Sequence, residues 1–484
     1  MRAVSERIRE LALNTYLWGQ RSRWLFPKPV RRLLRDKLAG TIAPRVSGRT
    51  DEWPHAPPPC KREEGDRVPC EAPISPSENV RAMCDHPLPG RPRPRCVVVV
   101  GTLELGGSEI VALFLARGLP AHGLDTIVVH TGVARSEKRP AASLRVDGLE
   151  IVDLSQRDVS QWLEINCPDV ISMHSAPGWF VSAAAHAGIP TIETLHGAHS
   201  FFDEDSWPKE RLRGQQISGF VAVSEQLRRQ YLRANPQYPP DRVVTIPNGV
   251  DDRHIGHRHR AISREWLGLR DEFLFVSTAR YALQKNTFGL VTAFVDVARA
   301  FPNVHLLLAG DVADRMYFEQ VRRLRDGLPC AGQIHLHGPC PDVSTLLAAA
   351  DAFVLDAYFE AGFPLAAMEA LCAGLPVVIS EVAGAREQMG EDGRYGFVVG
   401  NPLGDPETMD WHSMGHERFR PQVNRMALVE AMRKIVAGRD HWKSRREELQ
   451  IEAWQQFSPQ RWLERYAEVL TRAAAQQHRA VMSP

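Results

Sequence analysis

No stretch of this chain approaches the roughly 18 consecutive apolar residues of a membrane span, and its first residues carry arginines without the apolar core of a signal peptide. The expected location is therefore the cytoplasm. Close cysteine pairs are missing too. Cys60, Cys70, Cys84, Cys96, Cys167, Cys330, Cys340 and Cys372 are scattered with no C-x-x-C spacing, which excludes a patterned zinc site or disulfide framework. They read as reduced thiols, several of them in cores. Net charge is nearly absent: 59 Lys and Arg stand against 58 Asp and Glu, so nothing global points to nucleic acid.

Two phosphate-binding signatures also fail. In Gly101-Thr102-Leu103-Glu104-Leu105-Gly106-Gly107-Ser108, Gly107 stands where a P-loop needs its lysine, and the loop lacks the G-x-G-x-x-G spacing of dinucleotide folds. An NTPase and a dehydrogenase are set aside on that ground. Asp203-Glu204-Asp205 has the Asp-x-Asp form used by metal-dependent sugar transferases, but it lies in a polar segment after Phe201-Phe202. No metal and no other cofactor is expected.

What is present suits a large globular chain. At 484 residues it exceeds the size at which single cores stop growing, and 44% hydrophobic with 24% charged residues is ordinary globular composition. Residues 1–40 are strongly basic, with Leu11, Leu13, Tyr16, Leu17, Trp18, Trp24, Leu25 and Phe26 interleaved. They read as an amphipathic helical arm, either a peripheral contact with an anionic membrane at the inner face of the cell or a helix packed on its own protein or a partner. Residues 41–95 are proline-rich with little periodicity and read as a disordered linker.

Order begins at the β-branched run Cys96-Val97-Val98-Val99-Val100, typical of a strand buried on both faces. A helix over 108–119 follows, then strands at 126–130, 170–174, 191–195, 219–223 and 243–246. A second series runs through 273–278, 304–309, 334–337, 352–355 and 376–380. Alternating βα units imply parallel, doubly wound sheets. The expectation is α/β: two Rossmann-like domains, 96–255 and 256–440, facing a cleft, with helices over 441–484 packing back across them. Ligands of such sheets sit beyond the carboxyl ends of the strands.

The most specific segment runs from Phe359 to Leu371, FEAGFPLAAMEAL. A strand gives way to a glycine loop at Gly362, Phe363 follows, and Pro364 opens a helix at Leu365. Free amides and the dipole at that helix start suit an anion such as a diphosphate. Glu369, about one and a half turns in, has a carboxylate able to accept bonds from the two hydroxyls of a ribose. It is equally readable as a capping or solvated glutamate.

Here the chain resembles the retaining glycosyltransferases of the GT-B fold, family 4, over about residues 97–470. Gly106-Gly107-Ser108-Glu109 is similar to that family's glycine loop and Thr194-Leu195-His196-Gly197 to its histidine loop. Val221 to Glu225 and Ile246 to Asp251 resemble its mid-chain strands, Arg280 with Lys285-Asn286 its basic pair, and Glu360 to Glu369 its paired glutamates. The family separates those glutamates by seven residues. Eight lie between them here, so Ala361 is either a loop insertion that keeps Glu360 in the site or the cause of its displacement.

The resemblance implies a nucleotide-diphosphate sugar as co-substrate, and a saccharide or lipid-linked saccharide of unknown identity as acceptor. Arg280 and Lys285 would neutralise the leaving diphosphate, Glu360 would complete the catalytic set, and His196 would contact the sugar. Gly362, Phe363, Leu365, Glu369, Gly106 and Gly107 would bind the donor. Each has a plainer reading: surface charges starting a helix for the cations, a structural strand-end histidine for His196, a tight turn for the glycine pair. An epimerase or phosphorylase on the same architecture, or a sugar-nucleotide-binding protein without turnover, stays open beside the transferase.

Overall fold

The computed structural model describes residues 50–53, 93–101, 106–132, 149, 151–197, 202, 205–251, 255, 259–340, 342–360, 362–390, 392–405, 414 and 422–482. The basic arm of residues 1–40 lies outside these, as do most of the proline-rich segment, Asp203, Glu204 and Ala361.

Apolar, β-branched runs build the two sheets. Strands Arg95–Val100 (β1), Asp125–His130 (β2), Ile151–Asp153 (β3), Val170–His174 (β4), Thr191–Leu195 (β5), Gly219–Ala222 (β6) and Val243–Thr245 (β7) pair in the order β3-β2-β1-β4-β5-β6-β7. The second sheet joins Phe273–Thr278 (β8), Val304–Ala309 (β9), Ile334–His337 (β10), Ala352–Leu355 (β11), Val377–Ser380 (β12) and Gly396–Val399 (β13) in the order β10-β9-β8-β11-β12-β13. Every pairing between these strands is parallel. Strand order reverses between β1 and β4 in one sheet and between β8 and β11 in the other. These are the topological switch points at which open α/β sheets take ligands.

The chain divides into two compact bodies. The first carries β1–β7 together with Ala361–Leu365 and Gln455–Pro484; the second is built on Arg253–Glu360 and Ala366–Trp454. The last helix, Pro459–Met482, belongs to the first body because its apolar residues fall one turn apart on a single face. Trp462, Tyr466 and Leu470 enter the core formed by Val98, Val111, Leu115 and Val170, and the Trp462 ring stacks on Phe114 at 5.1 Å. By contrast the helix Arg439–Ser444 and most of Arg446–Gln456 stay with the second body, where Trp454 Nε1 donates to the Cys372 carbonyl at 3.1 Å. The expected terminal unit of 441–484 is therefore two pieces with different partners.

Inside the expected disordered linker, Asp51 and Trp53 pack instead. Asp51 forms a parallel bridge to His337 on the edge strand β10, and its carboxylate accepts from Leu336 N at 2.8 Å and pairs with Arg325 at 3.2 Å. The Trp53 ring stacks on His337 at 4.1 Å and on Trp266 at 5.5 Å. An open sheet edge offers unpaired backbone groups, and this short segment uses them. Cysteines 96, 167, 330, 340 and 372 are all free thiols, with Cys96 and Cys372 buried.

Candidate functional site

In the second body, the loops leaving β8 and β11 carry three of the expected residues and bring two of them, Lys285 and Glu360, into contact. Arg280 follows the end of β8 and is exposed, with no hydrogen bond or ion pair to any described residue. Its backbone is fixed from below: a Cβ on Gly310 would stand 2.0 Å from the Ala279 carbonyl oxygen, so only glycine lets the two loops approach this closely. Lys285 ends a short turn at 283–285, and the Gln284 carbonyl accepts from Tyr358 N at 2.9 Å. That bond carries the loop after β11 across to Lys285, whose ammonium donates to both Glu360 oxygens at 2.5 Å.

The pair is largely buried, at 17% exposure for the Lys285 side chain and 9% for Glu360. Glu360 is thus held beside Lys285 despite the longer spacing. An ammonium has three N–H donors, so Lys285 keeps one beyond those facing Glu360, while Arg280 brings a whole guanidinium. The arrangement is a partly neutralised cationic corner at a topological switch point.

Behind the corner lies a buried amide and carboxyl network. Asn286 adopts a left-handed φ of 45° and caps the helix Thr287–Ala300 through Gly289 N. Its amide donates to Asp356 at 2.8 Å, and Asn424 donates to the other oxygen of the same carboxyl at 2.7 Å. Gln422 binds both Asn286 and the Tyr358 hydroxyl at 2.7 Å. Asp356 is 1% exposed, and burial pushes its carboxyl up to about 7 against the opposing pull of the Asn424 and Asn286 bonds. Asp356, Asn424 and Gln422 escaped sequence reading; the only local signal was an acidic residue directly after an apolar strand.

Glu369 is half-buried in the helix Leu365–Cys372. Burial, and after it the Glu369 carboxylate, pushes the Cys372 thiol up. Gly362, Phe363 and Leu365 cluster with the first body. Gly362 has φ 72°, and a Cβ there would meet Val223 at 2.3 Å and Leu227 at 2.6 Å. Phe363 is buried with its ring edge-on to Phe457 at 6.0 Å, so that side chain is occupied by packing. A Cβ on Gly107, which begins the helix Gly107–Gly118, would touch Leu365 at 3.4 Å; Gly106 precedes it as the cap.

His196 follows β5 in the first body, 9% exposed, its Nε2 2.9 Å from His174 Nδ1. Burial pushes it down to about 4, so it is neutral at ordinary pH. The structure brings Gly107 to Leu365 and the His196 carbonyl to within 3.5 Å of a Gly362 Cβ. Among the described residues no cluster of three or more His, Cys, Asp or Glu side chains is placed to hold a metal ion, and no helix is long and apolar enough to cross a membrane.

Known proteins match both bodies. The family described as Glycosyltransferase Family 4 matches residues 105–254, and Glycosyl transferases group 1 matches residues 260–412. D-inositol 3-phosphate glycosyltransferase of Frankia alni is 27% identical over 354 residues, covering 64% of this chain and 86% of that protein. Alpha-maltose-1-phosphate synthase of Mycolicibacterium smegmatis is 26% identical over 278 residues, 51% of this chain and 68% of that one. Among solved structures, Anabaena Alr3699/HepE in complex with UDP and glucose superposes with a TM-score of 0.64 at 17% identity, covering 78% of this chain and 99% of that chain.

Proposed function

Since the chain belongs to the family 4 glycosyltransferases of the GT-B fold, we propose that it moves a sugar, with retention of anomeric configuration, from a nucleotide-diphosphate donor to a saccharide or lipid-linked saccharide hydroxyl. The observation that carries the donor side is the buried Lys285–Glu360 pair joining the loops after β8 and β11, with Arg280 exposed and unpaired among the described residues five positions before Lys285. HepE, of the same fold, holds UDP and glucose, which supports a nucleotide sugar as the ligand of this corner.

The chemistry follows from charge. As the glycosidic C–O bond to the β-phosphate breaks, negative charge collects on the departing oxygens, and cations already in place there lower the barrier without reorganising. Arg280 supplies that charge. Lys285 supplies its remaining N–H, with Glu360 fixing the ammonium. Two carboxylates about 5 Å apart would be needed for a covalent glycosyl route, and Glu360 is engaged by Lys285. The reading is therefore front-face attack: the acceptor hydroxyl adds to the anomeric carbon on the face the phosphate leaves, passing its proton to a phosphate oxygen. Glu369 would accept from the ribose hydroxyls, and the amides opening the helix Leu365–Cys372 would face the diphosphate.

Incubation with a panel of nucleotide sugars and acceptors, followed by NMR of the product, tests the reading. An α-donor should give an α-glycoside; a β-product, or an epimer from donor alone, would contradict it. The basic residues 1–40 favour a membrane-borne acceptor, with the arm resting on anionic lipid at the inner membrane face.

A further inference from the structure

Two histidines and a serine form a buried chain at the switch point of the first sheet. Ser172 and His174 lie two apart on β4 and so face the same side; the Ser172 Oγ is 3.3 Å from His174 Nε2, and His174 Nδ1 is 2.9 Å from His196 Nε2. All three are buried, at 0%, 2% and 9% exposure. Burial pushes both imidazoles down, His174 further through the neighbouring His196, so each carries a single ring proton.

A neutral imidazole donates from one nitrogen and accepts at the other, so the chain has only two proton arrangements. In one, His196 Nε2–H donates to His174 Nδ1, His174 Nε2–H donates to Ser172, and the Ser172 hydroxyl proton is left buried with no acceptor among the described residues. In the other, Ser172 O–H donates to His174 Nε2 and His174 Nδ1–H donates to His196 Nε2; both protons between the three residues are then used, and the one left, on His196 Nδ1, is at an atom that is not fully buried. An unmet buried hydroxyl costs about 1–3 kcal/mol, enough to select the second arrangement by about fivefold or more. That arrangement leaves His196 with its proton on Nδ1, the nitrogen that bonds to no described residue.

We propose that His174 is a positioning residue which, directed by Ser172, locks His196 as the Nδ1–H tautomer, so that His196 meets a ligand oxygen as a hydrogen-bond donor and does not act as a base. The ligand class is an uncharged or anionic oxygen acceptor, such as a sugar hydroxyl or a phosphate oxygen. Its role with a sugar rests on the transferase reading above; the tautomer itself is a property of the free protein and stands or falls separately.

The test is two-bond proton–nitrogen correlation on the full chain labelled with 15N-histidine, His196 being assigned by comparison with His196→Gln. His196 in the Nδ1–H form is the expected result, turning to a tautomer mixture in Ser172→Ala, a nearly isosteric change, with kcat/KM falling about tenfold. An Nε2–H form in the native protein, or an unchanged tautomer in Ser172→Ala, would overturn the proposal. Altered turnover with an unaltered tautomer would assign Ser172 and His174 a packing role and count against it equally.

Discussion

Asp356 shows what a single buried carboxyl does to the corner above it. Its proton is held more tightly folded than unfolded, about 7 against an ordinary 3.8, so folding is favoured by the protonated form. That contribution is complete below about pH 4 and is lost as pH rises through about 7. Asn424 Oδ1 is buried without a partner, and turning that amide end for end would let it accept the Asp356 proton. An Asp356→Asn side chain cannot ionise, so its melting temperature relative to the native chain should rise between pH 5 and pH 8, as read by calorimetry at each pH. A constant difference would mean Asp356 stays in one protonation state throughout. Because Asn286 follows Lys285 directly, the same variant should also alter the pH profile of turnover between pH 6 and 8.

None of this was legible in the sequence. The basic pair and both glutamates were picked out because their segments resemble the motifs of a known family, the pair just after a strand and Glu369 about one and a half turns into a helix. The bonds of Asn286 and Asn424 to Asp356, and of Gln422 to Asn286, join segments up to 136 residues apart, and no local pattern encodes them. His174 was likewise visible only as the last residue of a strand, because its partner comes from the next one.

At the scale of elements, the buried strands were readable from composition: β8, β9, β10 and β11 lie at the expected residues. The edge strands β3 and β13 were missed; both are only partly buried. Loop placement depends on close approaches that composition does not reveal. Gly310→Ala would drive a Cβ into the Ala279 carbonyl. Shifting the Ala279–Arg280 peptide should lower kcat by about 10–100-fold, with a stability loss of only about 1–3 kcal/mol in urea unfolding. Full activity in that variant would show that Arg280 need not be held here. Trp462→Ala, which empties a buried position on the last helix, should cost about 3–5 kcal/mol. A loss under about 1 kcal/mol would mean that helix is only loosely attached.

For the whole molecule, the N-terminal region divides at about residue 50. A chain lacking residues 1–49 keeps Asp51 and Trp53 on β10 and should melt like the full chain, whereas one lacking residues 1–60 loses that pairing and should be less stable by about 1–3 kcal/mol. If residues 1–40 bind membrane, the shorter deletion alone should abolish flotation with anionic vesicles; unchanged flotation would end that reading.

The transferase reading turns on the cation that meets the leaving diphosphate. The decisive measurement is the single-turnover rate of Arg280→Ala at saturating donor, beside donor affinity measured by calorimetry. A fall of about 100- to 1,000-fold in rate, exceeding any loss of affinity, is the expected result. Near-native turnover would place the departing phosphate somewhere other than beside Arg280.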